Sequence, residues 1–440
     1  MGVVVTRSPS VVVRPSEPEP TAATSGAGGT IKLSSFDRVC AMVPVTAFLV
    51  FEHPIREAAE TIKGALSRAL VPYYPISGRI AAGPGGDEVH IQCSGEGVAF
   101  VAASANCALK DAEFFARSPD TRTPPLVEEL AVYYPAESCG PADPLLLMQV
   151  TEFSCGGFVV GVAWNHGVAD GIGMAQFLQT IGELARGSPS PSLAPVRWDD
   201  SLPSLPLPTV ETYKPLGLVC LDITVPSSSI DRIRAEFHEH SNGRRRTCTV
   251  FEAVAAVLWQ CRTRAIASSP DSLALLTFAA NVRKHVNAKD GYYGNCVATQ
   301  RVMVTAGTVA NADVTDLIEM IKRAKDGVRD QLFAKNDGHG HDDDDDDDDP
   351  QRAMDENQLD ELRYNALHLS SWQNVGFEKA DFGGGTPERV MCYMQPSIQG
   401  WPWCVVSLPC KGKDGASSVF SVCVREEHAD AFLGELERFT

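Results

Sequence analysis

Residues 164–171, with the sequence WNHGVADG, hold the residue types that could do chemistry in this chain. His166 and Asp170 lie four residues apart, directly after an apolar run at 158–164 that is typical of a buried strand. The segment after them has the spacing of an amphipathic helix, with apolar residues at Met174, Phe177, Leu178 and Ile181. A histidine at such a junction can face a cleft, and imidazole exchanges protons near neutral pH. The pattern therefore predicts a general base at His166.

The four-residue spacing alone carries little weight, because it occurs three times in the chain. His339/Asp343 and His341/Asp345 lie beside or within a run of eight Asp, and composition explains them. Because like charges repel, the sequence predicts a disordered loop at 335–352. Its histidines and carboxylates have the chemistry to hold a metal, but no Cys/His cluster has zinc spacing, and we expect no metal site.

The size of the chain predicts more than one domain. It has 440 residues, of which 44% are hydrophobic and 21% charged, as in an ordinary globular protein. No apolar run approaches the roughly 20 residues of a membrane helix, so we expect no membrane association. The start lacks the apolar core of a secretory signal, which favours the cytoplasm. Gly2, followed by Thr6, fits the loose myristoylation pattern, although a first β-strand is the preferred interpretation.

The charge of the chain is acidic and unevenly distributed. The formal net charge is −18, and residues 342–349 supply eight of the negative charges. No basic stripe could neutralise phosphates, so nucleic acid is not an expected partner. The one basic cluster, at 244–246, is either a solvated turn or a site for a cofactor that bears phosphate.

The cysteines indicate a reducing environment. The 13 Cys are odd in number and scattered, so we expect reduced thiols. Cys155, the one nearest the His166 motif, is either a nucleophile or, by preference, a residue that fills space beside a strand.

Composition divides the chain into four segments. Residues 1–30 are rich in Pro, Ser, Thr and Gly and are expected to be flexible, and 188–216 is a Pro/Ser-rich crossover linker. One domain then covers 31–187 and a second covers 217–440. Within them the patterns predict helices at 55–70, 249–264 and 427–439 and strands at 145–153, 158–164 and 219–225. Thr249, three residues before Glu252, is expected to cap its helix, and the whole predicts an α/β fold with mixed sheets.

Several separated motifs resemble the signature of the plant BAHD acyltransferases. Besides HGVADG at 166–171 they are, along the chain, YPISGR at 74–79, TVFEA at 249–253, NVR at 281–283, YGN at 293–295, SW at 371–372 and DFGGG at 381–385. The resemblance runs from about residue 31 to the end. It implies two similar domains like chloramphenicol acetyltransferase, each a mixed sheet flanked by helices, with an active-site channel between them.

The same resemblance implies an acyl-CoA-dependent acyltransferase that acts as a monomer. Acyl-CoA would be a co-substrate, and no cofactor would be permanently bound. His166 would take the proton of an alcohol or amine that attacks the thioester, and would return it to the departing thiolate. For coenzyme A the candidate contacts are Arg244, Arg245 and Thr249, whereas the group that stabilises the oxyanion cannot be read from the sequence.

Asp170 has two interpretations. It could orient His166 as in a catalytic triad. The family resemblance instead implies that it braces the loop ahead of Gly171, and a contact with an Arg elsewhere is then expected.

The DFGGG motif is implied to be structural. The resemblance pairs Asp381 with Arg283, far from the chemistry, and includes Gly383 and Gly385. One position departs from the family, since Gly384 stands where a Trp is usual. The loss of an indole predicts a loop that is more pliable and less filled.

The segments 31–37 and 73–79 resemble a grass branch of the family, whose members acylate amines and alcohols with benzoyl-CoA or hydroxycinnamoyl-CoA. We therefore expect transfer of an aromatic acyl group to an amine such as tryptamine, tyramine, agmatine or a polyamine. The alternative within the same mechanism is an alcohol or shikimate-type acceptor. A hydrolase, and a non-catalytic binding protein on the same scaffold, are the alternatives from other classes, and the intact His166 speaks against the second.

Overall fold

A computed structural model describes ten stretches of the chain. They are residues 3–17, 29–82, 89–112, 125–135, 139–205, 215–240, 247–333, 356–395, 400–412 and 415–439. Gly2, Arg244, Arg245 and the acidic loop at 335–352 lie outside the described residues, so the predictions for them stay predictions. Over the described ranges the architecture is mixed α/β, as predicted, and no helix there is long and apolar enough to cross a bilayer.

The first large sheet carries the predicted hairpin at its centre. Its strands are β1 (Val5–Arg7), β2 (Val11–Val13), β4 (Pro44–Phe51), β7 (Val98–Ala105), β8 (Leu146–Phe153), β9 (Phe158–Asn165) and β14 (Arg389–Tyr393). They pair in the order β1, β7, β8, β9, β4, β14, and β2 also pairs with β7. All eight residues of β9 are buried, which explains why its sequence is an unbroken apolar run rather than an alternating one.

The second large sheet is built from the later part of the chain. Its strands are β10 (Leu221–Val225), β11 (Leu273–Asn281), β12 (Val297–Thr305), β13 (Ala366–Ser371), β15 (Trp403–Ser407) and β16 (Ser417–Val422). They pair in the order β10, β16, β15, β13, β11, β12. A small third sheet contains β3 (Thr30–Lys32), β6 (Val89–Gln92) and β5 (Arg79–Ala82) in that order.

Ten α-helices are present in the described ranges. They are α1 (Ser35–Val39), α2 (Ala58–Ala69), α3 (Gly171–Ala185), α4 (Ser227–His240), α5 (Val250–Ile266), α6 (Ala306–Asn311), α7 (Val314–Asp326), α8 (Val328–Phe333), α9 (Glu356–Asn365) and α10 (Glu426–Glu437). Thr249 caps α5 in a reciprocal capping box with Glu252, so that prediction is confirmed.

Helix α3 anchors the segment that follows His166. The predicted apolar face is buried, with Met174, Phe177, Leu178 and Ile181 all inaccessible to solvent. Because each such side chain contributes roughly 1.5–3 kcal/mol on burial, the helix is held firmly against the first sheet and α2. The loop before it is therefore fixed at both ends, by β9 and by α3.

The structure departs from the prediction in two of the four segments, although the domain boundaries themselves stay predictions. Residues 1–30 were expected to be flexible, but β1 and β2 lie in this range and pair with β7, while 18–28 are outside the described residues. The segment 217–440 does not stay in one sheet, because β14 pairs with β4 at the edge of the first sheet. Apolar strands with an open partner edge add to a sheet regardless of their distance along the chain.

Candidate active site

A cavity of about 560 Å³ lies between strands of the second sheet and segments from the first half of the chain. From the first half of the chain it is lined by α1 and by the segment 166–172, and from the second half by β11, β12, β13 and the residues just after β13. Its volume is in the range of small-molecule binding sites. Of the residues predicted to do chemistry, the structure places His166, Asp170 and Gly171 on this wall.

The backbone around His166 is held by hydrogen bonds on both sides. The His166 N–H donates to the Val43 carbonyl at 2.8 Å, and its carbonyl accepts from Asn295 Nδ2 at 2.7 Å. Asn165, the last residue of β9, accepts from the Gly167 N–H at 2.9 Å through its side chain. The ring is thus delivered to the cavity by a turn whose polar backbone groups are satisfied.

Asp170 braces the loop and does not orient the histidine. Its carboxylate is the N-cap of α3 and accepts from the Gly173 N–H at 3.0 Å. Arg283 forms a bidentate ion pair with this carboxylate, with Nη1 donating to Oδ2 at 2.8 Å and Nη2 donating to Oδ1 at 2.9 Å. The Cys296 N–H adds a bond of 3.1 Å to Oδ2. The expected Arg partner is therefore present, and the described residues show no hydrogen bond from Asp170 to His166.

A second buried ion pair, which the sequence did not indicate, holds the same loop. Arg197 comes from the predicted linker, yet its side chain is almost fully buried and pairs with Asp37 at 3.2 Å. It also donates to the Gly167 carbonyl at 3.1 Å. Asn295 donates to the other oxygen of Asp37 at 2.9 Å from both its backbone and its side chain. Three distant segments are thereby tied to the turn that carries His166.

The charge state of His166 depends on its neighbours. Burial opposes the charged imidazolium, whereas negative charge on the Cys40 sulfur and on Asp170 favours it, which raises the pKa of His166 to about 9. Cys40 lines the same cavity. Nδ1 of His166 is buried without a hydrogen-bond partner of normal geometry in the described residues.

The predicted pairing of Asp381 with Arg283 is wrong. Arg283 is committed to Asp170, and Asp381 lies instead near Arg186, whose Nη1 is 3.7 Å from Oδ2 and also donates to the Asp381 carbonyl. The other Asp381 oxygen accepts from the Gly383 and Gly385 N–H groups at 2.8 and 3.0 Å. Both glycines have positive φ, 123° and 98°, so the motif is a tight turn closed on its own aspartate.

The prediction that Gly384 leaves the loop less filled is also wrong. A Cβ at this position would lie 2.8 Å from the His53 carbonyl oxygen and 3.0 Å from Ile55 Cγ2. His53 and Ile55 occupy the space that a side chain would take. The loop is therefore packed closely against the segment after β4, and no indole fits in this arrangement.

Two further candidates do not reach the cavity in the described structure. The Thr249 hydroxyl accepts from the Glu252 N–H at 3.2 Å as the cap of α5, so its predicted contact with coenzyme A stays a prediction. Cys155 is exposed rather than space-filling, and its sulfur accepts a weak hydrogen bond from the Leu109 N–H at 3.5 Å. It is absent from the cavity wall described above.

Comparison with known proteins gives a consistent result. A family model described as the Transferase family matches residues 3–438. Acyl transferase 15 of Oryza sativa subsp. japonica is 45% identical over 100% of this chain and 99% of its own length. The 3'-N-debenzoyl-2'-deoxytaxol N-benzoyltransferase of Taxus canadensis is 31% identical over 94% of this chain and 91% of its own. The crystal structure of vinorine synthase has the same fold, with a TM-score of 0.73 and 19% identity over 99% of this chain and 98% of that one.

Proposed function

Because the chain belongs to the Transferase family, the BAHD acyl-CoA-dependent acyltransferases, we propose that it moves an aromatic acyl group from coenzyme A to an amine. The donor is a benzoyl or hydroxycinnamoyl thioester. One observation carries the proposal: His166 lies on the wall of a cavity of about 560 Å³ that segments from both halves of the chain line.

His166 is the general base in this proposal. The acceptor nitrogen attacks the thioester carbonyl carbon and forms the C–N bond, while His166 takes the N–H proton. The tetrahedral intermediate then collapses, the C–S bond breaks, and the proton passes to the departing thiolate. The products are an amide and free coenzyme A. Hydrogen bonds to Val43 and from Asn295 hold the His166 backbone in place. This supports the role, because a base acts only within hydrogen-bond reach of the proton that it removes.

The wall of the cavity supports an aromatic acyl group. Most of its surface is apolar, with contributions from Phe36, Val39, Ile172, Trp372 and Val375. Such a surface stabilises a flat hydrocarbon ring by removing it from water. The Taxus relative is named as an N-benzoyltransferase, which supports both an aromatic acyl group and a nitrogen acceptor.

The charges on the wall favour one kind of amine. Among the described lining residues the only carboxylate is Asp170, and Arg283 occupies both its oxygens. A second cationic group, such as the guanidinium of agmatine or a further ammonium of a polyamine, would therefore lack a partner there, at a cost of several kcal/mol if buried. Tryptamine and tyramine fit better. The same observation favours the second candidate function, O-acylation of an alcohol.

A matched set of substrates tests the proposal. Purified protein is incubated with benzoyl-CoA or p-coumaroyl-CoA and with tyramine, tryptamine, agmatine, or tyrosol, in which a hydroxyl replaces the amine of tyramine. Amide formation, measured by mass spectrometry, is the expected result. Ester with tyrosol and no amide would favour O-acylation, and thioester loss without acceptor would indicate a hydrolase. No loss with any donor would contradict an enzymatic role with these donors and favour the binding protein. The monomeric state and the cytoplasmic location stay predictions.

A further inference from the structure

A second histidine lies on the wall of the same cavity. His368 is in β13, in the interior of the second sheet, and the cavity is bounded by both His166 and His368. No motif discussed above includes it. The structure thus brings together two imidazoles that are 202 residues apart in the chain, one from each half.

The His368 ring is fixed by a neighbouring strand. Thr277 in β11 is paired with His368 across the parallel strands, so the two side chains project from the same face. Thr277 Oγ1 lies 2.7 Å from Nδ1 of His368. The other ring nitrogen, Nε2, makes no hydrogen bond to any described residue. This nitrogen is not fully buried, and it is therefore accessible from the cavity that His368 lines.

The surroundings keep this imidazole neutral. Burial lowers the pKa of His368 to about 4, and no carboxylate opposes the effect. A neutral ring does not serve as a strong acid at physiological pH. Its Nε2 faces the cavity as a donor if Nδ1 accepts the hydrogen bond from Thr277, and as an acceptor if Nδ1 donates to Thr277. In a cavity whose surface is mostly apolar, a polar atom held in one place by a neighbouring strand serves to select a ligand group.

We infer that His368 is a specificity-determining residue whose Nε2 hydrogen-bonds a neutral hydroxyl of the substrate. This inference rests on the function proposed above, because the hydroxyl would be a phenolic group of the proposed aromatic donor or acceptor. The hydroxyl belongs either to a hydroxycinnamoyl group or to a tyramine-like acceptor. A substrate that lacks this hydroxyl leaves Nε2 without a hydrogen-bond partner, and its kcat/KM is therefore lower.

Two substitutions separate the roles of the two ring nitrogens. In His368→Gln the side-chain amide reaches about as far as Nε2, whereas in His368→Asn it reaches only about as far as Nδ1. The first variant keeps a polar atom in the cavity, and the second keeps the bond to Thr277. A recognition role therefore predicts that Gln is tolerated and Asn is not, and a purely structural role predicts the reverse.

The measurement is a ratio of kcat/KM values within each preparation. Pairs that differ by one hydroxyl are compared: p-coumaroyl-CoA with cinnamoyl-CoA, and tyramine with phenethylamine. We expect wild type and His368→Gln to prefer the hydroxylated member of one pair by about 5–100-fold, and His368→Asn to lose that preference. The pair that responds identifies whether the hydroxyl is on the donor or on the acceptor. Because both substrates meet the same protein sample, partial unfolding does not alter the ratio.

The same ratio in all three proteins would overturn the inference while leaving the proposed function intact. Absence of turnover by wild type with every pair would instead count against the proposed function. In that case equilibrium binding of the same four compounds, measured by calorimetry, decides the inference. Equal affinity of wild type and His368→Asn for the hydroxylated and unhydroxylated members would then overturn it.

Discussion

The pair between Arg283 and Asp170 should be among the most costly polar contacts to break. Both hydrogen bonds of the pair are short, at 2.8 and 2.9 Å. The side chain of Arg283 retains 14% of its accessible surface, and that of Asp170 retains 3%. Removing the arginine leaves a buried carboxylate without its charge partner, which typically costs about 3–5 kcal/mol. The pair of Asp381 with Arg186 is longer and more exposed, at 3.7 Å with 28% and 39%, and such pairs contribute about 0–1 kcal/mol.

A double-mutant cycle measures this difference. Arg283→Met and Asp170→Asn are made singly and together, and the free energy of unfolding is measured by urea denaturation. Asn retains the N-cap of α3, so the cycle reports on the ion pair. We expect a coupling of about 1–3 kcal/mol, with the double variant more stable than the sum of the single losses indicates. The matched control combines Arg283→Met with Asp381→Asn and should be additive within about 0.5 kcal/mol.

Additive effects in the first cycle would refute the structural assignment. Coupling between positions 283 and 381 instead would show that the pairing expected from the sequence motif is the one that forms. Either result would also weaken the account of His166, because the loop that carries it is braced through Asp170.

Two further predictions concern the pKa of the base and the packing of the DFGGG loop. A general base acts in its unprotonated form, so kcat/KM should rise with pH through the His166 pKa of about 9, and Cys40→Ala should move that limb to lower pH. The exposed thiol control, Cys155→Ala, should leave the pH profile unchanged, and an unchanged profile in Cys40→Ala would contradict the role of its charge. Gly384→Ala should lower the free energy of unfolding by about 1–3 kcal/mol, because its Cβ would lie 2.8 Å from a backbone oxygen. Gly64→Ala, where nothing lies within 4 Å, should be neutral or stabilising, and equal effects at both glycines would contradict the packing described.

Features with local causes were predictable from the sequence. The strand before His166 follows from an unbroken apolar run, and the helix after it follows from apolar periodicity. The cap of α5 follows from Thr249 and Glu252, which are three residues apart. The chemistry of the turn follows from the same residues, since a histidine between a buried strand and an amphipathic helix is placed at an element boundary. The family motifs extended this to the reaction class.

Features that depend on long-range packing were not predictable. Arg283 meets Asp170 across 113 residues, and Arg197 reaches Asp37 from a Pro-rich stretch that has the composition of a linker. Neither local propensity nor spacing encodes which carboxylate an arginine will find after folding. The cavity histidine at 368 was missed for the same reason, because only the pairing of β13 with β11 places it beside Thr277.

The central claim, that His166 is the base of acyl transfer, is tested most directly by His166→Ala. Turnover is followed as loss of thioester absorbance, because the 13 protein thiols would react with a thiol reagent. The account predicts a fall in kcat of about 10²–10⁴-fold with an unchanged urea midpoint, and no fall for the exposed control His285→Ala. Turnover by His166→Ala within a few-fold of wild type would contradict it.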